Sequence, residues 1–335
     1  MPKDADPRSH RERTPTLGEL GESHVLARIF PRLPAADAEL LGPGDDAAIV
    51  SAPDARFVVT TDLMVHGPDF RLAWSRPHDL GWKAAASNLS DVAAMGARPT
   101  ALVVAIAAPS HSPITLLEGI ADGFRDACQA LAPGCGIVGG DLSVSATLTI
   151  AVTAFGDLEA RAPVLRSGAR VGDIVAVSGL LGEAARGLRV LFTRAVDADG
   201  EPDAALAEAL RGLTAAQLAP SPPIADGRAA ALAGATAMID VSDGLAIDAD
   251  RVARASRVAM DFDSSALGDD PALALGGGED HSLLATFPAA AALPGGFRQV
   301  GTVIDARTAD GASILLDGHR QPVTGWDPFA SYSAD

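Results

Sequence analysis

A chain of 335 residues, 48% of them hydrophobic, is long enough for two domains of ordinary size, each with its own core. Its formal net charge of −17 argues against a nucleic-acid partner, which needs a basic face, and no apolar run reaches the length that crosses a bilayer. Two cysteines, Cys128 and Cys135, stand outside any metal-ligand or redox spacing, so the expected setting is reducing and cytoplasmic with both thiols free.

Residues 1–15 are charged and polar without an apolar centre and read as a disordered leader. Residues 16–31 carry apolar positions at helical spacing, and Pro31 and Pro34 end that helix. Gly42-Pro43-Gly44-Asp45-Asp46 is a glycine turn bearing paired acids ahead of the apolar run Ala47 to Val50. Phe57 to Val65 is a β-branched strand interrupted by Thr60, Thr61 and Asp62. A carboxylate in such a run is solvated, hydrogen-bonded or bound to a cation, because burying it bare is costly. If the two runs pair as a hairpin, their oxygens converge, and hard oxygen donors suit Mg²⁺. A solvated turn acid and a strand-ending acid is the plain alternative.

Asp79 to Met95 reads as a helix whose alanines permit close packing. Ser87, Asn88 and Asp91 share one face that carries almost no Glu, Lys or Arg, which favours a buried polar site over an exposed stripe. A strand over 100–107, a helix over 113–130, the start of a strand at 136–138 and a strand over 148–155 complete a first domain, residues 16–160. The two glycines of Gly139-Gly140-Asp141 stand directly before an acid.

The segment from Arg161 to Asp173 is the natural boundary, and the second domain, residues 161–335, opens with a strand over 174–178 and a helix over 182–192. After an acidic loop and an alanine-rich helix, Pro220, Pro222 and Pro223 make a rigid turn into a helix over 224–233. The strand Ala237 to Asp240 ends in Ser242 and Asp243, with a helix following from Ala246 to Ser256. Gly276-Gly277-Gly278-Glu279-Asp280 precedes a strand over 282–287, and short strands near 298–304 and 313–317 lead to Trp326.

No Gly-Lys dipeptide occurs, so a P-loop is excluded. Gly134, Gly136 and Gly139 spell a dinucleotide fingerprint but follow a helix and enter a strand, the reverse of the required context. No serine elbow, Cys/His pair or zinc spacing occurs among the seven histidines. What remains is an array of aspartates at strand ends or on small-residue faces, accompanied by glycines. Phosphoryl transfer needs such parts: metals to neutralise phosphate oxygens, backbone amides to cradle them, and an arginine. Asp46, Asp62, Asp91, Asp141, Asp240 and Asp243 can ligate metal, Gly139, Gly140 and Gly276 to Gly278 can admit phosphate, and Arg166 or Arg170 can supply the cation. Bound Mg²⁺ would also reconcile a phosphate ligand with the acidic charge.

The blocks Gly-Asp-Asp-Ala-Ala, Thr-Thr-Asp, Asn-Leu-Ser-Asp-Val-Ala-Ala-Met-Gly-Ala, Gly-Gly-Asp, Leu-Arg-Ser-Gly-Ala-Arg, Ile-Asp-Val-Ser-Asp-Gly-Leu and Gly-Gly-Gly-Glu-Asp occur here in one order, spanning about residues 16 to 329. In this the chain resembles the thiamine-monophosphate kinase family, related to aminoimidazole ribonucleotide synthetase and selenophosphate synthetase. The resemblance implies an α/β (α+β) two-domain fold, with mixed sheets flanked by helices, PurM-like domains, and first-domain strands closing a barrel in a homodimer. It implies ATP-dependent phosphorylation of thiamine monophosphate to thiamine diphosphate with several Mg²⁺ ions. By the same resemblance Asp46, Thr60, Thr61, Asp62, Asp91, Asp141, Asp240 and Asp243 are metal ligands, while Gly140, Arg166 and Ser242 contact ATP. Glu279 and Trp326 contact the substrate, whose thiazolium cation suits a carboxylate and an aromatic face.

Two departures concern the substrate pocket. Asp69 stands where many members carry a substrate-contacting histidine, and the stretch from Asp263 to Gly276 is short. The other readings are a superfamily member with a different small substrate and a non-catalytic metal- or nucleotide-binding regulator. A selenophosphate synthetase would carry a reactive residue near its N-terminus, whereas the first cysteine here is at 128. No general base is assigned, since a loose transition state does not demand a strong one.

Overall fold

The computed structural model of the chain describes residues 13–43, 47–309 and 311–326; the Asp45, Asp46 pair lies outside them. The elements of the first half are α1 (Leu17–Leu20), α2 (Glu22–Ile29), β1 (Glu39–Leu41), β2 (Ile49–Val50), β3 (Val58–Val65), α3 (Pro77–Ala94), β4 (Arg98–Ala108), α4 (Ile114–Leu131), β5 (Gly136–Val144) and β6 (Thr149–Asp157). The second half runs through β7 (Ile174–Ser178), α5 (Glu183–Arg194), α6 (Ala204–Ala209), α7 (Arg211–Leu218), α8 (Ile224–Leu232), β8 (Ala237–Val241) and α9 (Leu245–Ser256). It ends with β9 (Ala259–Phe262), α10 (Pro271–Gly276), β10 (Ser282–Phe287), β11 (Arg298–Ile304), β12 (Ile314–Leu316) and β13 (His319–Arg320).

The first half builds a four-stranded sheet in the order β3-β6-β4-β5, antiparallel except for the β4–β5 pair. The hairpin expected between the 47–50 run and the Val58–Val65 strand does not form. β2 pairs with β1 over two positions, whereas β3 pairs with β6 over eight, from Val58↔Gly156 to Val65↔Thr149. A long β-branched strand satisfies far more backbone groups against a partner of its own length than against a two-residue run. Gly21, at φ +72, splits the helix expected over 16–31 into α1 and α2. Gly139, Gly140 and Asp141 lie inside β5, which continues to Val144.

The second half builds a seven-stranded sheet in the order β13-β12-β9-β11-β7-β10-β8, parallel only at β12–β9. One face packs on α9, whose Leu245, Ala249 and Val252 are buried against Val175, Ile239 and Met260. Its other face, through Met238, Leu283, Ala285 and Phe287, joins the core that holds α3 and α4.

Helix α3 is therefore enclosed from both sides, and most of its 18 residues are buried. Small residues make this possible. A Cβ built on Gly81 would lie 1.9 Å from Ile120 O, and one on Gly123 would lie 2.0 Å from His78 O. The backbones of α3 and α4 touch at two points where only glycine fits. Leu89, Val92 and Ala93 then seal the helix against both sheets. Among the described residues no helix is long and apolar enough to cross a membrane.

Candidate active site

Strand pleating sends alternate residues of β3 toward α3. Val59 and Leu63 are exposed while Met64 is buried, so Thr60 and Asp62 share the inward side. Thr60 Oγ1 donates to Asp91 Oδ2 at 2.7 Å, tying the strand to the last turn of α3. Asn88, 1% exposed, accepts the Asp62 backbone N–H at 3.2 Å and donates to Ala84 O. One turn over, the Ser90 hydroxyl lies 3.1 Å from Asp240 Oδ2 and 3.3 Å from His281 Nδ1. His281 Nδ1 itself lies 3.3 Å from Asp240 Oδ2.

This geometry crowds three carboxylates from β3, α3 and β8 into one buried region. Burial first, then the charges of Asp240 and Asp62, push the Asp91 carboxyl up to about 7, against the bond from Thr60. Asp62 is also raised, by burial and by Asp240 and Asp243, against His281 and the Ser87 hydroxyl. Burial opposes the charge on His281, but the hydrogen bond and charge of Asp240, with the charge of Glu279, hold its pKa above the ordinary value. Among the described residues no three His, Cys, Asp or Glu side chains stand in ready ligand geometry about one point. The donor set is nonetheless hard oxygen throughout, and its negative charge exceeds what the chain neutralises. Both properties fit Mg²⁺.

The loop after β8 forms the adjoining wall. Asp248 Oδ2 accepts the backbone N–H groups of Asp243 and Gly244 at 3.0 and 3.2 Å, and burial pushes its carboxyl up to about 7. Arg251 pairs with Asp243 at 2.7 Å and also holds Asp248. The Gly276–His281 loop packs directly on this turn. A Cβ on Gly278 would meet Ser242 O at 2.5 Å, Glu279 N–H donates to Ser242 O at 2.7 Å, and His281 N–H donates to Val241 O at 3.1 Å. Glu279 and His281 adopt left-handed backbone, φ +66 and +52, a strain that the two contacts hold in place.

At the other end, Lys83 of α3 is 6% exposed and its Nζ lies 2.9 Å from Glu279 Oε2. Burial alone would raise the Glu279 carboxyl, but Lys83 and the Gln217 amide hold it below the usual range. Asp69 Oδ2 accepts the Val65 N–H at 2.7 Å; burial and the charge of Glu279 raise its pKa, against that hydrogen bond and Lys83. Trp326 is 45% exposed, and its backbone N–H donates to Asp243 O at 2.8 Å.

Thus Thr60, Asp62, Asp91 and Asp240 are brought together, with Ser242, Asp243, Glu279 and Trp326 on the adjoining wall. Other expected residues are not gathered within the single chain. Asp62, Val152, Val104 and Gly140 form one row across the sheet, which sets Gly140 and the exposed Asp141 about 14 Å away, three strand spacings. Thr61 points to the opposite side of the sheet from Asp62, with Oγ1 donating to Val152 O. Arg166 is exposed, and its backbone carbonyl accepts from Ser256 at the far end of α9. Lys83, Ser90, Gln217 and His281 were not singled out from the sequence. Lys83 and Gln217 are lone polar residues in apolar runs, while Ser90 and His281 stand among other polar residues that mask them, and only tertiary contact with Asp240 or Glu279 reveals them.

Residues 44–158 match the family model for AIR synthase related protein, N-terminal domain. The chain is 43% identical over 332 residues to thiamine-monophosphate kinase of Mycobacterium tuberculosis, covering 94% of each chain. The crystal structure of thiamine-monophosphate kinase from Stenotrophomonas maltophilia superposes with a TM-score of 0.69 at 32% identity, covering 89% of this chain and 96% of that one. The solved complex of AaThiL with AMPPCP and TMP also gives 0.69, at 30% identity, covering 93% and 98%. With near-complete coverage at these identities, and with the aspartates of three separate elements meeting beside the glycine loop, the chain belongs to the thiamine-monophosphate kinase family.

Proposed function

We propose that this protein transfers the γ-phosphoryl group of ATP to the phosphate of thiamine monophosphate, giving thiamine diphosphate and ADP. A terminal oxygen of the substrate phosphate attacks the γ-phosphorus in line, and the bond to the β–γ bridging oxygen breaks. The observation that carries this reading is the buried meeting of Asp62, Asp91 and Asp240, whose excess charge has no use unless cations and phosphates occupy the site. The AaThiL complex with AMPPCP and TMP supports it from a relative.

Asp46, Thr60, Thr61, Asp62, Asp91, Asp141, Asp240 and Asp243 would hold Mg²⁺, which when bound neutralises the phosphate oxygens. Ser90 and His281 fix the Asp240 carboxylate from behind. Gly140, Arg166 and Ser242 would meet the nucleotide. A mostly apolar cavity of about 800 Å³ beside Gly140 and Asp141, lined by Ile120, Phe124 and Ile137, has the size and chemistry to take its base. Asp69, Glu279 and Trp326 would meet the cationic substrate.

A homodimer completes the arrangement. Among the described residues β3 and β5 are the edge strands of the four-stranded sheet, and Phe57, Val59, Leu63 and Val144 leave an apolar surface exposed beside them. A second copy joined edge to edge closes both sheets into one barrel. If β5 of one copy lies beside β3 of the other, Asp141 comes next to Thr61 and Asp62 across that seam, which the single sheet cannot achieve.

Purified protein with Mg-ATP and thiamine monophosphate should yield thiamine diphosphate and ADP in equal amounts, and light scattering should report twice the mass of one chain. Normal ATP binding with no thiamine diphosphate would overturn the substrate assignment; a monomer with full activity would overturn the shared site.

A further inference from the structure

Asp280, 6% exposed, stands between Glu279, on the substrate wall, and His281, which holds Asp240. The three residues alternate in direction. Glu279 reaches Lys83 and His281 reaches Ser90, about two turns apart on α3, while Asp280 turns the other way, to the N-terminus of α5. Its Oδ2 accepts the Gly182 N–H at 2.5 Å and its Oδ1 the Ala184 N–H at 2.8 Å. The first N–H groups of a helix have no partner within it, and the N-cap of α5 is Gly182, which has no side chain to offer. A carboxylate from 98 residues later fills that place, where the helix dipole also favours negative charge.

The bond does more than finish a helix. Glu279 and His281 both adopt left-handed backbone, φ +66 and +52, which a residue with a Cβ takes up only under constraint. Their N–H groups are tied to Ser242 O and Val241 O on one side. Asp280 is the tie on the other side, and its anchor is firm: Leu191 of α5 lies in one buried cluster with Trp74, Ala207 and Leu218. Gly277 presses on the same helix end, where a Cβ would lie 2.9 Å from Gly182 Cα. With Asp280 released, the strained backbone would relax and both flanking side chains would move, one in each half of the site. We infer that Asp280 is a positioning residue, which by fastening this loop to α5 sets Glu279 against the substrate and His281 against Asp240 together. This rests on the functional reading above.

The rival role is a helix cap and nothing more. Asp203 gives the comparison, since it caps α6 through the Leu206 N–H at 2.8 Å and bonds to none of the site residues. Asp280→Ala and Asp203→Ala should both lower Tm. In Asp280→Ala, KM for thiamine monophosphate should also rise by roughly 10-fold, and the MgCl₂ concentration that half-saturates the rise in Tm should increase by a similar factor, the usual effect of losing a residue that orients a ligating side chain. Asp203→Ala should leave both readouts unchanged. Asp280→Asn keeps one acceptor and should fall between Asp280→Ala and the wild type. If Asp280→Ala lowers Tm alone, or moves only one of the two readouts, the residue does not hold both halves of the site and the assignment is wrong. If neither Asp280 variant folds, Asp280 is a determinant of the fold and the assignment is wrong as well. If the wild type forms no thiamine diphosphate, the functional reading fails by itself, and the MgCl₂ shift alone then decides whether Asp280 holds His281 against Asp240.

Discussion

Asp91 allows the charge argument to be tested by stability alone. Its carboxyl is pushed up to about 7 in the fold, against an ordinary value of 3.8. The folded state therefore keeps a proton that the unfolded chain has already lost. A raised carboxylate contributes its stability below about pH 4 and loses it as pH rises through 7. Three pH units at about 1.4 kcal/mol each give roughly 4 kcal/mol between pH 4 and 8, or several degrees in Tm for a protein of this size. Asp91→Asn keeps the shape and can still accept the Thr60 hydroxyl, but removes the titration. In chelator-treated protein at pH 8 the variant should melt above the wild type, and at pH 4.5 the two should converge. Asp248, also raised to about 7 by burial, adds slope in the same window, so the difference between the two proteins is the quantity to read. MgCl₂ should raise the wild-type Tm at pH 8 and do little at pH 4.5, while turnover of the variant falls by orders of magnitude. Parallel pH profiles, or Mg²⁺ without effect at pH 8, would refute the idea that Asp91 sits in a site short of positive charge.

Lys83→Met removes the cation from the part-exposed Glu279, which keeps the Gln217 amide, and should cost about 1 to 2 kcal/mol in a denaturant titration and raise KM for thiamine monophosphate more than KM for ATP. Gly81→Ala drives a methyl into Ile120 O, and separating α3 from α4 should cost at least about 2 kcal/mol in the same titration. Arg166→Ala should weaken ATP binding in calorimetry by roughly tenfold, with thermal stability nearly unchanged because the side chain is exposed.

The parts of the site that could be read from the sequence are those where local pattern and burial agree. The face of Ser87, Asn88 and Asp91 lacks long charged residues because it is enclosed, and an enclosed helix needs small residues whatever encloses it. β3 announces itself through β-branched residues, and its acid at position 62 stands out because a strand facing a core rarely carries one. Strand partners are another matter. The choice of β1 over β3 as partner for β2 depends on β6, nearly a hundred residues later, and no local pattern encodes it. The short strand β9 was missed because four residues between a helix and a polar turn carry too little alternation to register. His281 and Lys83 owe their roles to Asp240 and Glu279, partners that arrive through the packing of one sheet on the other's helix.

Because α3 lies packed between the two sheets, it acts as a gauge. On the proposed function, Lys83 would mark the place for the organic head of the small molecule and Asp91 the place where phosphorus changes hands, eight residues apart, or roughly 12 Å along a rod that cannot stretch. A compound whose linker is one carbon shorter or longer would fit either mark but not both together. Selection by length would then follow from the helix itself, without any moving part.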